Sequence, residues 1–207
     1  EVAHLLRSQM AGIVGNLSVV IPVVAALQGL SWVVFGAPLV AVDEAKYVLN
    51  SLSFFGPSLL FAVFTGVLLF SSSLIAGWVE NWFAFYRLES AIAWNPAIIT
   101  RFGAARAQAW AHWWAGNISG LAANVSLGLL LGLSPALLGF IGLPLDVRHV
   151  TLSTGQLAAA VGTLGWQTMA TATFWWCVPT VLLIGVLNLG VSFYLAFKVA
   201  LRSRGIQ

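Results

Sequence analysis

Long apolar stretches alternate with short polar segments along the whole chain. Four of these stretches reach the roughly 20 residues that a helix needs to cross a membrane core about 30 Å thick. They cover residues 12–35, 58–82, 117–140 and 178–197, and Glu80 is the only charged residue within them. Because lipid offers no partner for backbone N–H and C=O groups, each stretch predicts a transmembrane helix.

The composition supports the same fold class. Of the 207 residues, 60% are hydrophobic and 7% are charged, whereas a soluble domain carries about 25% charged residues. So few charges exclude a soluble enzyme, a disordered tail and a disulfide scaffold. Transmembrane strands would show short segments of alternating polarity, which these unbroken runs lack. The chain is therefore predicted to be an all-α integral membrane protein with about four transmembrane helices and additional interfacial helices.

The basic residues predict the orientation of the helices. Cytoplasmic connections carry most of the Lys and Arg residues of a membrane protein. Seven of the nine lie at the ends that this rule assigns to the cytoplasm: Arg7, Arg87, Arg101, Arg106, Lys198, Arg202 and Arg204. The other two, Lys46 and Arg148, lie in the connections on the opposite side. Both ends of the chain are then cytoplasmic. This topology also places tryptophans at both interfaces, where their amphipathic rings are favoured.

Two connections are expected to contain further helices. Residues 154–176 carry no charge, so a fifth span is an alternative. Their composition is weakly apolar, and Ser153 with Gln156 has the spacing of a capping box. We therefore expect a helix that lies on, or dips into, the outer face before Pro179 begins the fourth span. On the cytoplasmic side, Asn95 and Pro96 predict the start of an amphipathic interfacial helix over residues 96–114.

Two short motifs occur twice in the same order and predict an internal repeat. Residues 15–18 (GNLS) match 116–119 (GNIS), and residues 36–39 (GAPL) match 142–145 (GLPL). Each unit is then a pair of spans with an outer helical segment between them. The units cover residues 11–86 and 115–200, run parallel, and are joined by a cytoplasmic amphipathic segment at 87–114. Together they form a single transmembrane domain over residues 1–207.

The densest polar cluster lies between the third span and the outer helix. It contains Asp146, Arg148, His149 and Ser153. An acid, a base and an imidazole this close together could bind an anionic ligand or transfer protons on the outer side. The alternative is a tight outer turn that an Asp146–Arg148 pair and a Ser153 cap hold in place.

A second set of polar residues lies within the spans. Asn117 and Asn124 are seven residues apart on one face of the third span, and with Asn16 and Asn188 they could line a substrate path. The alternative is hydrogen bonding between closely packed helices. Glu80 could be a proton or cation site, although it lies near an interface where a carboxylate reaches water and could pair with Arg87.

Motifs for metal, cofactor or covalent chemistry are not evident. The three histidines lie far apart and lack ligand spacing, and no phosphate-binding glycine motif or nucleophile elbow occurs. We therefore predict no catalytic residues, no metal and no cofactor in this chain.

Three segments resemble one known family. They are RSQMAGIVGN at 7–16, the Gly116-Asn117 pair and, most specifically, GLPLDVRHVTLS at 142–153. They resemble the bacterial membrane family labelled site-specific recombinase, and the resemblance extends over nearly the whole chain. It implies a longer inner-membrane protein in which a soluble helical N-terminal region precedes this membrane portion.

The resemblance and the residues imply different activities. The family label implies DNA recombination, which needs a nucleophile and a basic surface for phosphates. The Arg148–His149 cluster would lie on the outer side, away from DNA, so we expect no direct binding of nucleic acid. A membrane anchor or assembly domain, or a transport-type bundle, fits better, and the alternative is recombination by parts outside this chain. The expected partners are the lipid bilayer, the N-terminal region and possible second copies of the chain.

Overall fold

The computed structural model describes residues 2–203, with side chains described at 11, 14, 15 and from 17 onward. Within this part of the chain the structure is helical and contains no strand. Eight α-helices and one 3-10 helix at Trp166–Ala170 make up the described fold: α1 (Val2–Phe35), α2 (Val42–Ser51), α3 (Ser58–Phe85), α4 (Leu88–Ala93), α5 (Pro96–Phe102), α6 (Ala104–Phe140), α7 (Val150–Leu164) and α8 (Ala172–Ser203).

Four helices are long and apolar enough to cross a membrane, which confirms the predicted fold class. They are α3, α6, α8 and the part of α1 from Leu17 to Phe35. Large apolar side chains such as Val33, Phe85, Phe140 and Val186 are exposed on them. Exposed apolar surface of this extent is stable against lipid rather than water. The parallel repeat and the cytoplasmic position of both ends stay predictions.

The prediction of one continuous amphipathic helix over residues 96–114 is wrong. Asn95 does cap a helix, because its side-chain oxygen accepts hydrogen bonds from the N–H groups of Ala97 (2.9 Å) and Ile98 (3.4 Å). That helix, α5, ends after seven residues at Gly103, whose φ of +85° breaks the helical path. Residues 104–114 instead belong to α6, which runs 37 residues without interruption into the third span.

The predicted start of the outer helix is also corrected. The helix α7 begins at Val150 with His149 at its N-cap, and the N–H of Ser153 already donates to the His149 carbonyl (2.9 Å). Ser153 is therefore inside the first turn and is not a cap. At 15 residues α7 is shorter than a full crossing, so the described helices do not support a fifth span. Pro179 lies inside α8, which begins earlier, at Ala172.

The contacts divide the chain into two compact units. Unit 1 consists of residues 1–67 and 145–207, and unit 2 of residues 68–144. In unit 1, α7 packs against α1, α2 and α8. The core of unit 1 consists of small and aliphatic side chains: Ala45, Val48, Leu49, Leu52, Ala62, Val150, Leu157, Ala160, Cys177, Val181 and Ile184.

Unit 2 contains the second part of α3, the short helices α4 and α5, and α6. Both α4 and α5 pack against α6, where Ala107 and Ala111 are buried. Aromatic side chains cover this contact, since the rings of Phe102 and Trp110 lie 5.4 Å apart. This unit therefore contains two short helices, α4 and α5, and their location at a membrane interface stays a prediction.

The contact between α3 and α8 in unit 1 requires a glycine at position 66. A Cβ atom on Gly66 would lie 2.7 Å from the Val191 Cβ and 3.1 Å from the Asn188 carbonyl oxygen. Overpacking of this kind costs about 1–3 kcal/mol. We therefore expect Gly66→Ala to lower the free energy of unfolding by about that amount, measured by denaturant titration in detergent.

Gly77 of the same helix is the matched control, because nothing lies within 4 Å of the equivalent Cβ. Alanine is the better helix former at an open position, so Gly77→Ala is expected not to destabilise the chain. Equal stability of the two variants would contradict the close α3–α8 contact.

Candidate functional site

The residues that precede α7 lead into the interior of unit 1. Residues 145–149 have no regular secondary structure, yet Arg148 and Val150 are only 4% and 5% exposed. Buried backbone outside helices must find hydrogen-bond partners elsewhere. The partners of Arg148 and Val150 come from side chains of α3 and α8, and these contacts define the site.

Asn188 of α8 provides most of the partners. Its side-chain oxygen accepts from the Val150 N–H (3.0 Å), and its amide nitrogen donates to the carbonyl oxygens of Arg148 (2.9 Å) and Ala62 (2.9 Å). The residue is 3% exposed. One carboxamide therefore connects α8 with α3, with the segment before α7 and with the first residue of α7. We call these contacts the Asn188 clamp.

Thr65 of α3 completes the pairing of the Arg148 backbone. The Thr65 hydroxyl oxygen accepts from the Arg148 N–H (2.9 Å) and donates to the Phe61 carbonyl (2.8 Å) in its own helix. Thr65 is fully buried. Together, Thr65 and Asn188 satisfy the N–H and the C=O of Arg148, so this backbone can lie inside the protein without an orphaned polar group.

The Arg148 side chain is buried with incomplete pairing. Its Nη2 donates to the Ser51 hydroxyl (3.1 Å) at the end of α2 and lies 3.7 Å from an Asp146 carboxylate oxygen. The side chain is 5% exposed, whereas that of Asp146 is 47% exposed. The Nε atom has no partner in the described structure. The guanidinium thus joins α2 to the clamp, and its counterion reaches the protein surface.

The first turn of α7 contains further buried hydroxyls. Ser153 is fully buried and Thr151 is partly buried, and neither hydroxyl has a partner among the described residues. His149 is half-buried and its side chain does not cap the helix. Among the described residues no base hydrogen-bonds to the Ser153 hydroxyl, so the hydrogen-bonded nucleophile–base pair typical of covalent catalysis is not formed at Ser153 in this structure.

The site lies far from the ends of α8. Asn188 is the seventeenth of the 32 residues of this helix, which places it about 24 Å from Ala172 at roughly 1.5 Å per residue. From there α7 runs beside α1. Gly155 faces Val20 and Val24, and Gly162, seven residues on, faces Gln28. The chain therefore enters unit 1 as far as the middle of α8 and returns along α1, as a re-entrant segment does.

A second amide side chain holds the other end of α7. Gln28 of α1 accepts from the Leu39 N–H (3.1 Å) through Oε1 and donates to the Thr163 hydroxyl (3.4 Å) through Nε2. The Thr163 hydroxyl in turn donates to the Val40 carbonyl (3.1 Å). Gln28 is 5% exposed. Both ends of α7 are thus held by an amide from a long helix.

The structure separates the residues of the predicted outer loop. Arg148 and Ser153 lie inside unit 1, and Asp146 and His149 lie at its partly exposed edge. Arg148 is inside because its own backbone is held by Thr65 and Asn188. The structure therefore brings Arg148 and Ser153 together with Asn188, which the sequence pattern places in a different candidate site.

The other intramembrane candidates do not meet Asn188 in the described contacts. The side chain of Asn16 lies outside the described part of the structure. Asn117 is exposed and donates to the Trp113 carbonyl (2.7 Å) of its own helix. Asn124 and Glu80 are exposed positions of unit 2. Within the described residues, Glu80 makes no ion pair with Arg87.

Sequence reasoning missed Thr65, Ser51 and Gln28 as parts of the site. Thr65 and Gln28 are isolated polar residues within apolar stretches, and that isolation is the one signal that could have identified them. Their partners are 83 and 135 residues away in the sequence. Among the residues that the structure describes, no three His, Cys, Asp or Glu side chains lie close enough to hold a metal ion.

Removing the clamp should destabilise the protein. The change Asn188→Leu keeps a side chain of similar size but leaves the Val150 N–H and the Arg148 C=O without their partner. A buried polar group without a partner costs about 1–3 kcal/mol. We expect the free energy of unfolding in detergent to fall by at least about 2 kcal/mol.

Asn124→Leu on α6 provides the matched control, because Asn124 is exposed and makes no hydrogen bond in the described structure. Its effect should stay within about 0.5 kcal/mol. If the two substitutions have the same effect, Asn188 does not hold the segment in place.

Comparisons with known proteins agree with the resemblance seen in the sequence. A family model described as "Site-specific recombinase" matches residues 1–207. No curated protein and no solved structure matches the chain. Because the family model covers the whole chain, the protein belongs to the site-specific recombinase family.

Proposed function

We propose that this chain is the membrane anchor and assembly domain of a longer protein, with both ends in the cytoplasm. The observation that carries the proposal is the Asn188 clamp. Its polar groups pair with backbone inside unit 1 and hold α3, α7 and α8 together. Four long apolar helices support the membrane location. In this account a soluble region of the same protein is attached on the cytoplasmic side, and second copies of the chain are further possible partners.

A transport-type bundle is the second candidate, and one observation favours it. The N-terminus of α7 lies level with the middle of α8, and the buried Arg148 precedes it by two residues. Transporters use the N-termini of interrupted helices in this way to bind anionic substrates. The clamp argues against this function, because all three hydrogen bonds of the Asn188 side chain go to backbone groups. A substrate path needs polar groups that are free to bind solute.

DNA cleavage by this part of the chain is a poorer fit. Strand exchange needs an exposed nucleophile and a basic surface that contacts phosphates. Arg148 is 4% exposed and Ser153 is fully buried, so neither can reach a phosphodiester in this conformation. We infer that any recombination activity of the family resides in segments other than these, and that this domain does not bind nucleic acid directly.

Solute permeability distinguishes the anchor from the transporter. We expect proteoliposomes that contain the chain to swell no faster than empty liposomes when osmotic shock is applied with urea, glycerol, chloride or phosphate. The physical reason is that the Asn188 amide and the Thr65 hydroxyl inside unit 1 already pair with backbone groups. Stopped-flow light scattering measures the swelling rate, and gramicidin with a potassium salt serves as the positive control.

The Asn188→Leu variant provides a second comparison between the anchor and the transport function. The anchor function predicts that it also leaves the swelling rate at the level of empty liposomes. Faster swelling of the native protein with one solute, reduced by Asn188→Leu or Ser153→Ala, would contradict the anchor function and establish transport.

A further inference from the structure

A groove opens where α8 begins. Its volume is about 380 Å³, and its walls come from α2, the end of α7, the 3-10 helix and the first residues of α8. All of these elements belong to unit 1. Six of the residues that line the groove are polar: Lys46, Asn50, Gln167, Thr168, Thr171 and Thr173.

One basic side chain lines the groove. Lys46 is the only ionisable residue among those that line it. Lys46 is exposed and makes no ion pair with any described residue. Thr168 is 8% exposed, and its hydroxyl makes no hydrogen bond within the described structure although it borders the groove. Lys46 and Thr168 therefore border the same groove, and neither side chain has an acceptor among the described residues.

The N-terminus of α8 adds a second source of positive potential. Thr171 and Thr173 line the groove and bracket Ala172, the first residue of this 32-residue helix. The first N–H groups of a helix have no partner within it and carry a partial positive charge. Thr171 satisfies one of them, because its Oγ1 accepts from the Phe174 N–H (3.3 Å). The others are available to an anion, which helix N-termini bind readily.

Exposed apolar side chains surround the groove. Trp166 and Met169 on the 3-10 helix are exposed, as is Trp175 in the first turn of α8. Tryptophans in this arrangement are typical of the interface between the hydrocarbon core and the headgroups. These tryptophans favour a position of the groove near the phosphates of membrane lipids.

We propose that this groove binds a phosphate group, supplied by a phospholipid headgroup or by free phosphate, through Lys46, Thr168 and the N-terminus of α8. The site is independent of the clamp, because no residue of the groove belongs to the Asn188 contacts. It also does not depend on whether the domain is an anchor or a transporter.

Binding can be measured with two phosphate probes on the full chain in an uncharged detergent. The probes are inorganic phosphate and a short-chain phosphatidylglycerol, titrated while tryptophan fluorescence and the midpoint of thermal unfolding are recorded. We expect saturable binding to the native protein. Lys46→Gln should weaken it at least tenfold, and Thr168→Val, which removes only a hydroxyl, should weaken it several-fold.

Lys198→Gln is the matched control. Lys198 is also an exposed lysine of unit 1, but it lies 26 residues beyond the start of α8 and near the Tyr194 ring. It should leave the affinity unchanged. Binding of both probes with this pattern supports a site that recognises phosphate itself, and binding of the lipid alone supports a headgroup site. Absence of saturable binding, or equal weakening by Lys46→Gln and Lys198→Gln, would overturn the proposal.

Discussion

The structure depends on how a short non-helical segment finds hydrogen-bond partners for its backbone N–H and C=O groups inside a membrane protein. A backbone N–H or C=O without a partner is costly in such an environment. Residues 145–149 avoid this cost because Thr65 and Asn188 pair with the backbone of Arg148, and Asn188 also pairs with Val150. The start of α7 is fixed by these bonds. Its far end is fixed by Gln28, so the packing of α7 against α1, α2 and α8 follows from two amide side chains.

The four long helices could be predicted from the sequence because their apolar runs have the length of a membrane crossing. The ends of these helices could not, since helical hydrogen bonding continues into polar interfacial residues. In α6 the helix begins at Ala104, whereas the apolar run begins near residue 117. The buried position of Arg148 could not be predicted from the sequence either. A charged residue in a connection indicates a surface loop, and only the contacts with Thr65 and Asn188 show that this connection lies inside.

The polar residues of unit 1 fall into two groups with different consequences for function. In the interior, Thr65 and Asn188 pair with backbone groups and hold helices together. Those at the groove, Lys46 and Thr168 in particular, have no described partner and are available to a ligand. The family to which the chain belongs carries the name of a DNA reaction. The described site instead favours a domain whose interior serves assembly and whose exposed polar surface meets the membrane interface.

A disulfide cross-link tests the insertion of this segment most directly. A Cβ on Gly185 would lie 3.5 Å from the Val150 Cβ, which is within the range for a disulfide. In a chain with Cys177→Ala, the pair Val150→Cys and Gly185→Cys should therefore cross-link fully with a membrane-permeant oxidant. Val186 is exposed on the next position of α8, so Val150→Cys with Val186→Cys should not. Cross-linking of the second pair, or of neither, would contradict the placement of this segment at the middle of α8.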